Sequence, residues 1–217
     1  MQTLFSLFLA SVLFLLTGWS GIAVAAPQAE ALQPGVHYTP ISPAIPRSGT
    51  KPEVVEVFNF KCPHCFSLAP HTAEWAEKNK DRFVFKSIPV YWGKQTDLPA
   101  RAFFAAEFMG KGEAMKMAIF KAQFDHSADI ENVEEMIFLA ESLGMEAQAF
   151  RTNLHSFGVS SRVAQAKTFQ QDAKVSSTPT LVINGQYQVQ PGLHARSMTE
   201  PVDYDKLFMI VETLATQ

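Results

Sequence analysis

The sequence predicts an α/β fold in which strand patterns flank a long helical middle, and three stretches carry that prediction. Val54, Val55, Val57, Phe58 and Phe60 form a β-branched and aromatic run, which suits a central strand buried on both faces. Residues 180–189 read TLVINGQYQV, two short strand patterns around Asn184-Gly185, a strong two-residue hairpin signal. Between them, over roughly 96–174, apolar residues recur at helical spacing.

Residues 1–26 read MQTLFSLFLASVLFLLTGWSGIAVAA, without a charged side chain, and end in the small-residue pattern Ala23-Val24-Ala25. That is the outline of a secretory signal peptide, so residues 1–25 are expected to be removed and the mature chain to face an oxidising exterior. The start Met1-Gln2-Thr3 lacks Lys and Arg, and Leu4 to Ala26 is long enough to span a bilayer. An uncleaved membrane anchor is therefore the alternative.

About 190 residues then remain, enough for one well-buried domain or a domain with a sizeable insertion. The formal charge of −3 lies in this part, and Lys and Arg are scattered among Asp and Glu with no like-charge block. A nucleic-acid partner is not expected. Residues 28–53 hold five prolines and two glycines and read as an arm, with one short strand around His37 to Ile41.

The chain's only two cysteines, Cys62 and Cys65, follow the first strand in Cys62-Pro63-His64-Cys65, ahead of the helical pattern FSLAPHTAEWAEKNK. Proline fits an early helical position, because its missing N–H is one that a helix start leaves unpaired. Cys62 is thus expected at the N-terminus of a helix and Cys65 one turn in, with Pro70 kinking the helix farther on. Main-chain N–H groups and the helix dipole favour negative charge at Cys62 and lower its pKa, and the flanking Lys61 and His64 could add to this. The dithiol form gains from that stabilisation and the uncharged disulfide does not, at about 1.4 kcal/mol, or roughly 30 mV, for each pKa unit. An acidic Cys62 therefore makes the disulfide a ready oxidant.

Two other readings of the pair stay open. A structural disulfide over so short a loop would contribute only about 2 kcal/mol by loop entropy, less than a long-range crosslink. A metal site would take Cys62, Cys65 and His64 or His71, but zinc usually wants four ligands and no second CxxC or HxxxH follows.

In the middle of the chain, Ala102, Phe103, Ala106 and Met109 repeat at helical spacing, as do Val133, Met136, Ile137, Ala140 and Leu143, with Gly144 as C-cap. Another helix is expected from about Ser160. Phe104, Phe108, Met115, Phe120 and Phe124 read as core, a peptide groove being the alternative. His37, His71, His126, His155 and His194 are given no chemical role. Pro179 opens the first hairpin strand, where an ordinary trans proline is the default. Tyr204, Leu207, Phe208, Val211 and Leu214 form the stripe of a last helix.

Strand, CPHC, helix, and then Thr178-Pro179 before an NG hairpin and a final helix together resemble the thioredoxin superfamily, and within it the DsbA family of periplasmic thiol:disulfide oxidoreductases. The resemblance runs over nearly the whole mature chain, through GVHYTPI, VVEVFNFKCPHCF, the helical middle and TPTLVINGQYQV. It implies a thioredoxin-like fold with an inserted helical domain, the thioredoxin-like part being residues 26–95 and 175–217 and the insertion 96–174. It implies Cys62 as the exposed nucleophile, Cys65 as the buried partner that resolves the mixed disulfide, and Pro63 and His64 as residues that tune the pair. Glu56 matches a buried acid that assists proton transfer at the second cysteine; a strand-end carboxylate reaching solvent is the plainer view. Thr178-Pro179 matches the cis-proline pair whose main chain takes an extended substrate segment. The implied partners are reduced, unfolded exported proteins and a DsbB-like membrane reoxidant, with a monomeric protein in the periplasm and no metal or organic cofactor.

The chain departs from the family pattern at two places. Thr178 stands where the oxidases carry valine and some reducing or isomerising relatives carry threonine, and Lys61 stands where an aromatic is common. A hydroxyl beside the sulfurs alters both potential and partner release. Oxidase is therefore expected, with isomerase or reductase as the alternative direction and a non-catalytic binding module as the alternative class. Dedicated isomerases add an N-terminal dimerisation domain, and the arm from Ala26 to Glu53 is too short for one.

Overall fold

The computed structural model describes residues 31–47, 49–194 and 201–217. The signal segment expected over residues 1–25 lies outside the described residues. In chain order the elements are β1 (Thr39–Pro40), β2 (Glu53–Phe58), α1 (Pro63–Asn79), β3 (Val84–Pro89), α2 (Leu98–Phe108), α3 (Gly112–Phe124), α4 (Val133–Ser142), α5 (Ala147–Leu154), α6 (Phe157–Asp172), β4 (Thr180–Ile183), β5 (Tyr187–Val189), a 3₁₀ turn (Pro191–His194) and α7 (Tyr204–Ala215).

The strands form one sheet in the order β1-β5-β4-β2-β3. Its parallel pair is β2 with β3, from Glu53 opposite Val84 to Phe58 opposite Pro89, joined through α1. The β4–β2, β4–β5 and β1–β5 pairs are antiparallel. β2 has a neighbour on each edge, and Val54 to Phe58 are all buried. That is the central position its β-branched run called for. The strand stops at Phe58, two residues short of the expected end, because Asn59 turns the chain: Cys62 N donates to Asn59 O at 3.0 Å.

Asn184 (φ 52°) and Gly185 (φ 65°) both take left-handed backbone, and Gln186 N closes the turn onto Ile183 O at 2.9 Å. This is the hairpin that Asn-Gly encodes. A Cβ on Gly185 would also lie 2.3 Å from Ile45 O, so glycine is required there on two grounds.

Five helices, α2 to α6, occupy the chain between β3 and β4. α4 ends as its Gly144 predicts: Gly144 has φ 78°, its N–H bonds Glu141 O, and Met145 N bonds Ala140 O. α6 begins at Phe157, earlier than the expected Ser160, because Ser156 caps it by accepting from Val159 N at 3.1 Å. Phe104, Met115 and Phe120 are core, Phe124 is partly buried and stacks on Phe66, and Phe108 is exposed. α1 runs unbroken through Pro70.

α1 lies where two apolar clusters meet. Cys65 and Ala69 pack with Phe58, Phe60 and the buried faces of α2 to α6. Leu68 and Trp75 pack with Val54, Leu181, Ile183 and the α7 stripe of Leu207, Ile210, Val211 and Leu214. The opposite face of the sheet is covered by Val90, Ala173 and Val175. The head of α1 is thereby held at one end of the sheet, beside the start of β4.

Candidate active site

Cys62 is the N-cap of α1, with extended backbone (φ −99°, ψ 114°) and Pro63 following as the first helical residue. Both cysteines are free thiols, Cys62 partly exposed and Cys65 fully buried. The Cys62 thiol is held down to a pKa of about 5, first by the Cys65 S–H donating to its sulfur and then, against the opposing effect of burial, by the main-chain N–H of Cys65, the Thr178 hydroxyl and the main-chain N–H of His64. For Cys65 the balance reverses. Burial pushes its thiol far up, and the proximity of Cys62 pushes it further, because a second negative sulfur there would meet the first.

The expected contribution of the helix start is therefore present, carried by the N–H groups of His64 and Cys65. The side chains of Pro63 and His64 are exposed. Lys61, which could have added positive charge at the sulfur, pairs with Glu131 Oε2 at 3.0 Å.

Thr178-Pro179 is a cis peptide, and Thr178 meets the sulfurs twice. Its carbonyl accepts from Cys62 Sγ at 3.3 Å, a bond only the protonated thiol can make. Its hydroxyl favours the charged form of each cysteine sulfur. Beside this pair a cleft of about 590 Å³ is lined by His64, Leu68, Ser177, Thr178, Pro179 and Tyr204, among others.

Glu56 is fully buried in β2 and does not reach solvent, contrary to the plainer view of it. Its Oε2 accepts from Lys116 Nζ at 2.6 Å and lies 3.4 Å from the Thr72 hydroxyl, while its Oε1 has no hydrogen-bond partner among the described residues. Burial raises the Glu56 pKa, opposed by the Lys116 charge. Lys116, equally buried, is discharged by burial but more strongly held charged by Glu56 and Glu113, so its own pKa is raised. Lys116 Nζ also donates to Ser87 Oγ at 3.1 Å and sits 4.7 Å from the Phe58 ring centre. Ser87 Oγ donates in turn to Glu113 Oε1 at 2.7 Å.

The structure thus brings Cys62, Cys65, the His64 main chain and Thr178 together, and pairs Glu56 with Lys116 in the core. Sequence reading missed Lys116 and Asn59. Lys116 carried a signal: it sits at helical spacing from Ile119 and Phe120, on the buried stripe of an otherwise apolar helix. Asn59 carried none beyond its nearness to Cys62.

The family model described as a DSBA-like thioredoxin domain matches residues 73–199. The thiol:disulfide interchange protein DsbA of Azotobacter vinelandii is 30% identical over 171 residues, covering 76% of this chain and 80% of that protein. The protein of the same name from Pseudomonas aeruginosa is 29% identical over 168 residues, covering 77% and 80%. Among solved structures, the oxidoreductase DsbA of Xylella fastidiosa superimposes with a TM-score of 0.74 at 26% identity, over 85% of this chain and 96% of that one. The DsbA of Proteus mirabilis, solved with a non-covalently bound peptide, gives a TM-score of 0.71 at 25% identity, over 86% and 100%.

Proposed function

The chain belongs to the family of DSBA-like thioredoxin domains, and on that premise we propose that it is a protein dithiol oxidase whose Cys62–Cys65 disulfide is handed to reduced exported proteins. The observation that carries the direction is the pair's opposed acidity, with Cys62 at about 5 and Cys65 pushed far up. A stabilised thiolate favours the dithiol over the disulfide, so the disulfide draws electrons from other thiols.

In the cycle a substrate thiolate attacks Cys62 Sγ of the disulfide, and the Cys62–Cys65 bond breaks. Cys65 leaves as a thiolate and takes a proton, as its burial demands. A second substrate thiolate then attacks the substrate sulfur of the mixed disulfide and expels Cys62, whose low pKa makes it the better leaving group. The substrate gains a disulfide and the protein becomes the dithiol. No metal or organic cofactor enters these steps. Glu56 is the group we assign to proton delivery at Cys65, supported by its burial and by an Oε1 that is unpartnered among the described residues.

Thr178 and cis-Pro179 line the cleft beside Cys62, which suits an extended peptide, and a bound peptide in the Proteus mirabilis relative supports that use. Residues 96–174 are read as a helical insertion within a thioredoxin-like part made of 26–95 and 175–217, supported by the run of α2 to α6 between β3 and β4. An exported, periplasmic, monomeric protein reoxidised by a DsbB-like membrane partner completes the reading. Among the described residues no helix is long and apolar enough to cross a membrane.

The test is refolding of a reduced, disulfide-requiring substrate by the oxidised protein. Cys62→Ser is expected to lose the activity completely, and full activity in that variant rejects the mechanism. A second direction, isomerase or reductase, is suggested by the identity of Thr178 before cis-Pro179, the residue some isomerising or reducing relatives carry there. The equilibrium with glutathione separates the two, a strongly oxidising potential supporting the oxidase.

A further inference from the structure

Asn59 stands three residues before Cys62, in the turn between β2 and α1, and its side chain is buried. Its Nδ2 donates to Val90 O at 2.8 Å and to Gln95 Oε1 at 2.7 Å, and Lys61 N donates to its Oδ1 at 2.7 Å. Gln95 Oε1 also accepts from Trp92 N at 3.0 Å. One amide therefore ties the active-site turn to the loop that follows β3. With both N–H groups and one oxygen lone pair engaged, it has little freedom to rotate.

The main chain of the same residue also holds the head of α1. Cys62 N donates to Asn59 O at 3.0 Å, and Cys65 N donates in turn to Cys62 O at 3.1 Å. We propose that Asn59 is a positioning residue for thiol exchange: its side-chain amide, anchored on Val90 and Gln95, holds the turn whose carbonyl takes the Cys62 N–H, sets the Cys62 sulfur relative to Cys65, and so helps to make Cys62 the leaving group.

The physical argument is one of direction. An S–H donor is weak and gains only when aimed, so its benefit to the Cys62 thiolate depends on how firmly the two sulfurs are placed. Removing the amide takes one donor from the Val90 carbonyl and one from Gln95 Oε1, and lets the turn relax away from α1. This inference rests on the reading of Cys62 as the reacting thiol and adds to it the residue that holds its turn.

Asn59→Ala and Gln95→Ala test it, each compared with the parent by ultraviolet titration of the Cys62 thiolate, equilibrium with glutathione, and thermal unfolding of the oxidised form. In Asn59→Ala the Cys62 pKa is expected to rise and the equilibrium constant for disulfide formation to rise about three- to tenfold, because the dithiol loses stabilisation. Gln95→Ala is expected to move both quantities the same way by less. A drop in thermal stability alone, with both quantities at parent values in both variants, overturns the proposal. Should Asn59→Ala fail to fold, Gln95→Ala, which leaves every residue of the turn intact, decides by the same criterion. A parent Cys62 that titrates like free cysteine sinks the underlying reading as well; an acidic parent with unmoved variants sinks this one only.

Discussion

Cys62 with Cys65 at the head of α1 and Glu56 with Lys116 in the core are two pairs of ionisable groups that the fold treats in opposite ways. The first is left partly open to solvent and surrounded by donors, so one member ionises easily while its buried neighbour cannot. The second is sealed, and its two charges are held against each other at 2.6 Å. The contrast shows what each site can do. Charge at Cys62 comes and goes with chemistry, because donors and water both reach it. Charge at Glu56 and Lys116 is tolerable only while the partner is present, since taking either ion out of water costs several kcal/mol.

Breaking the sealed pair is expected to give the largest effect after loss of Cys62 itself. Lys116→Met should destabilise the protein by about 3–5 kcal/mol near neutral pH, read by chemical denaturation. The loss should shrink in acid, where Glu56, already raised by burial, takes up a proton and no longer needs a counter-charge. Adding Glu56→Gln should recover part of the stability by removing the stranded carboxylate. A double variant as unstable as the single one would mean that packing, and not charge, is what Lys116 supplies.

The open pair predicts a pH dependence of intermediate size. Cys62 titrates at about 5 in the folded dithiol against 9.0 for the ordinary thiol. Its stabilising contribution is therefore absent below about pH 5, grows between about 5 and 9, and is complete above 9. Cys65 acts the other way, since its raised pKa gives a contribution that is lost once the pH exceeds that of an ordinary thiol. The unfolding midpoint of the reduced form, minus that of the oxidised form, should climb from acid toward about pH 9 and fall beyond it. A flat difference through that range would show that the two sites are less distinct than the geometry implies.

Thr178→Val tests the smallest difference. It removes the hydroxyl that favours the charged form of each sulfur and keeps the cleft's shape. The Cys62 pKa should rise by less than about 1, with a weaker oxidant as the result. Thiolate titration checks it, and an unchanged value would assign Thr178 to substrate contact alone.

Much of this arrangement could be read from local chemistry. Pro63 after Cys62 marks a helix start whatever lies elsewhere in the chain, and Asn184-Gly185 makes a tight hairpin because both residues accept left-handed backbone. The β-branched run of β2 announces a strand buried on both faces. These signals act between neighbours in the chain, and the acidity expected for Cys62 followed from them.

Lys61 shows the limit of such signals, because adjacency to Cys62 in sequence did not say that its ammonium would turn to Glu131. Lys116 illustrates the same limit from the other side. Its place on an apolar stripe was visible, but the stripe says only that a face is buried, not that Glu56, 60 residues away, waits beneath it.

Taken alone, the chain's order of residues determined the strand, the helix start that lowers the Cys62 pKa, and the hairpin, because each depends on dihedral preferences and hydrogen-bonding needs within a few residues. Only the tertiary structure decided that Thr178 stands 3.3 Å from the Cys62 sulfur across 116 residues, and that one buried carboxylate and one buried ammonium share a pocket. Those contacts are settled by which apolar faces pack together, and a periodic pattern names a face without naming what it meets.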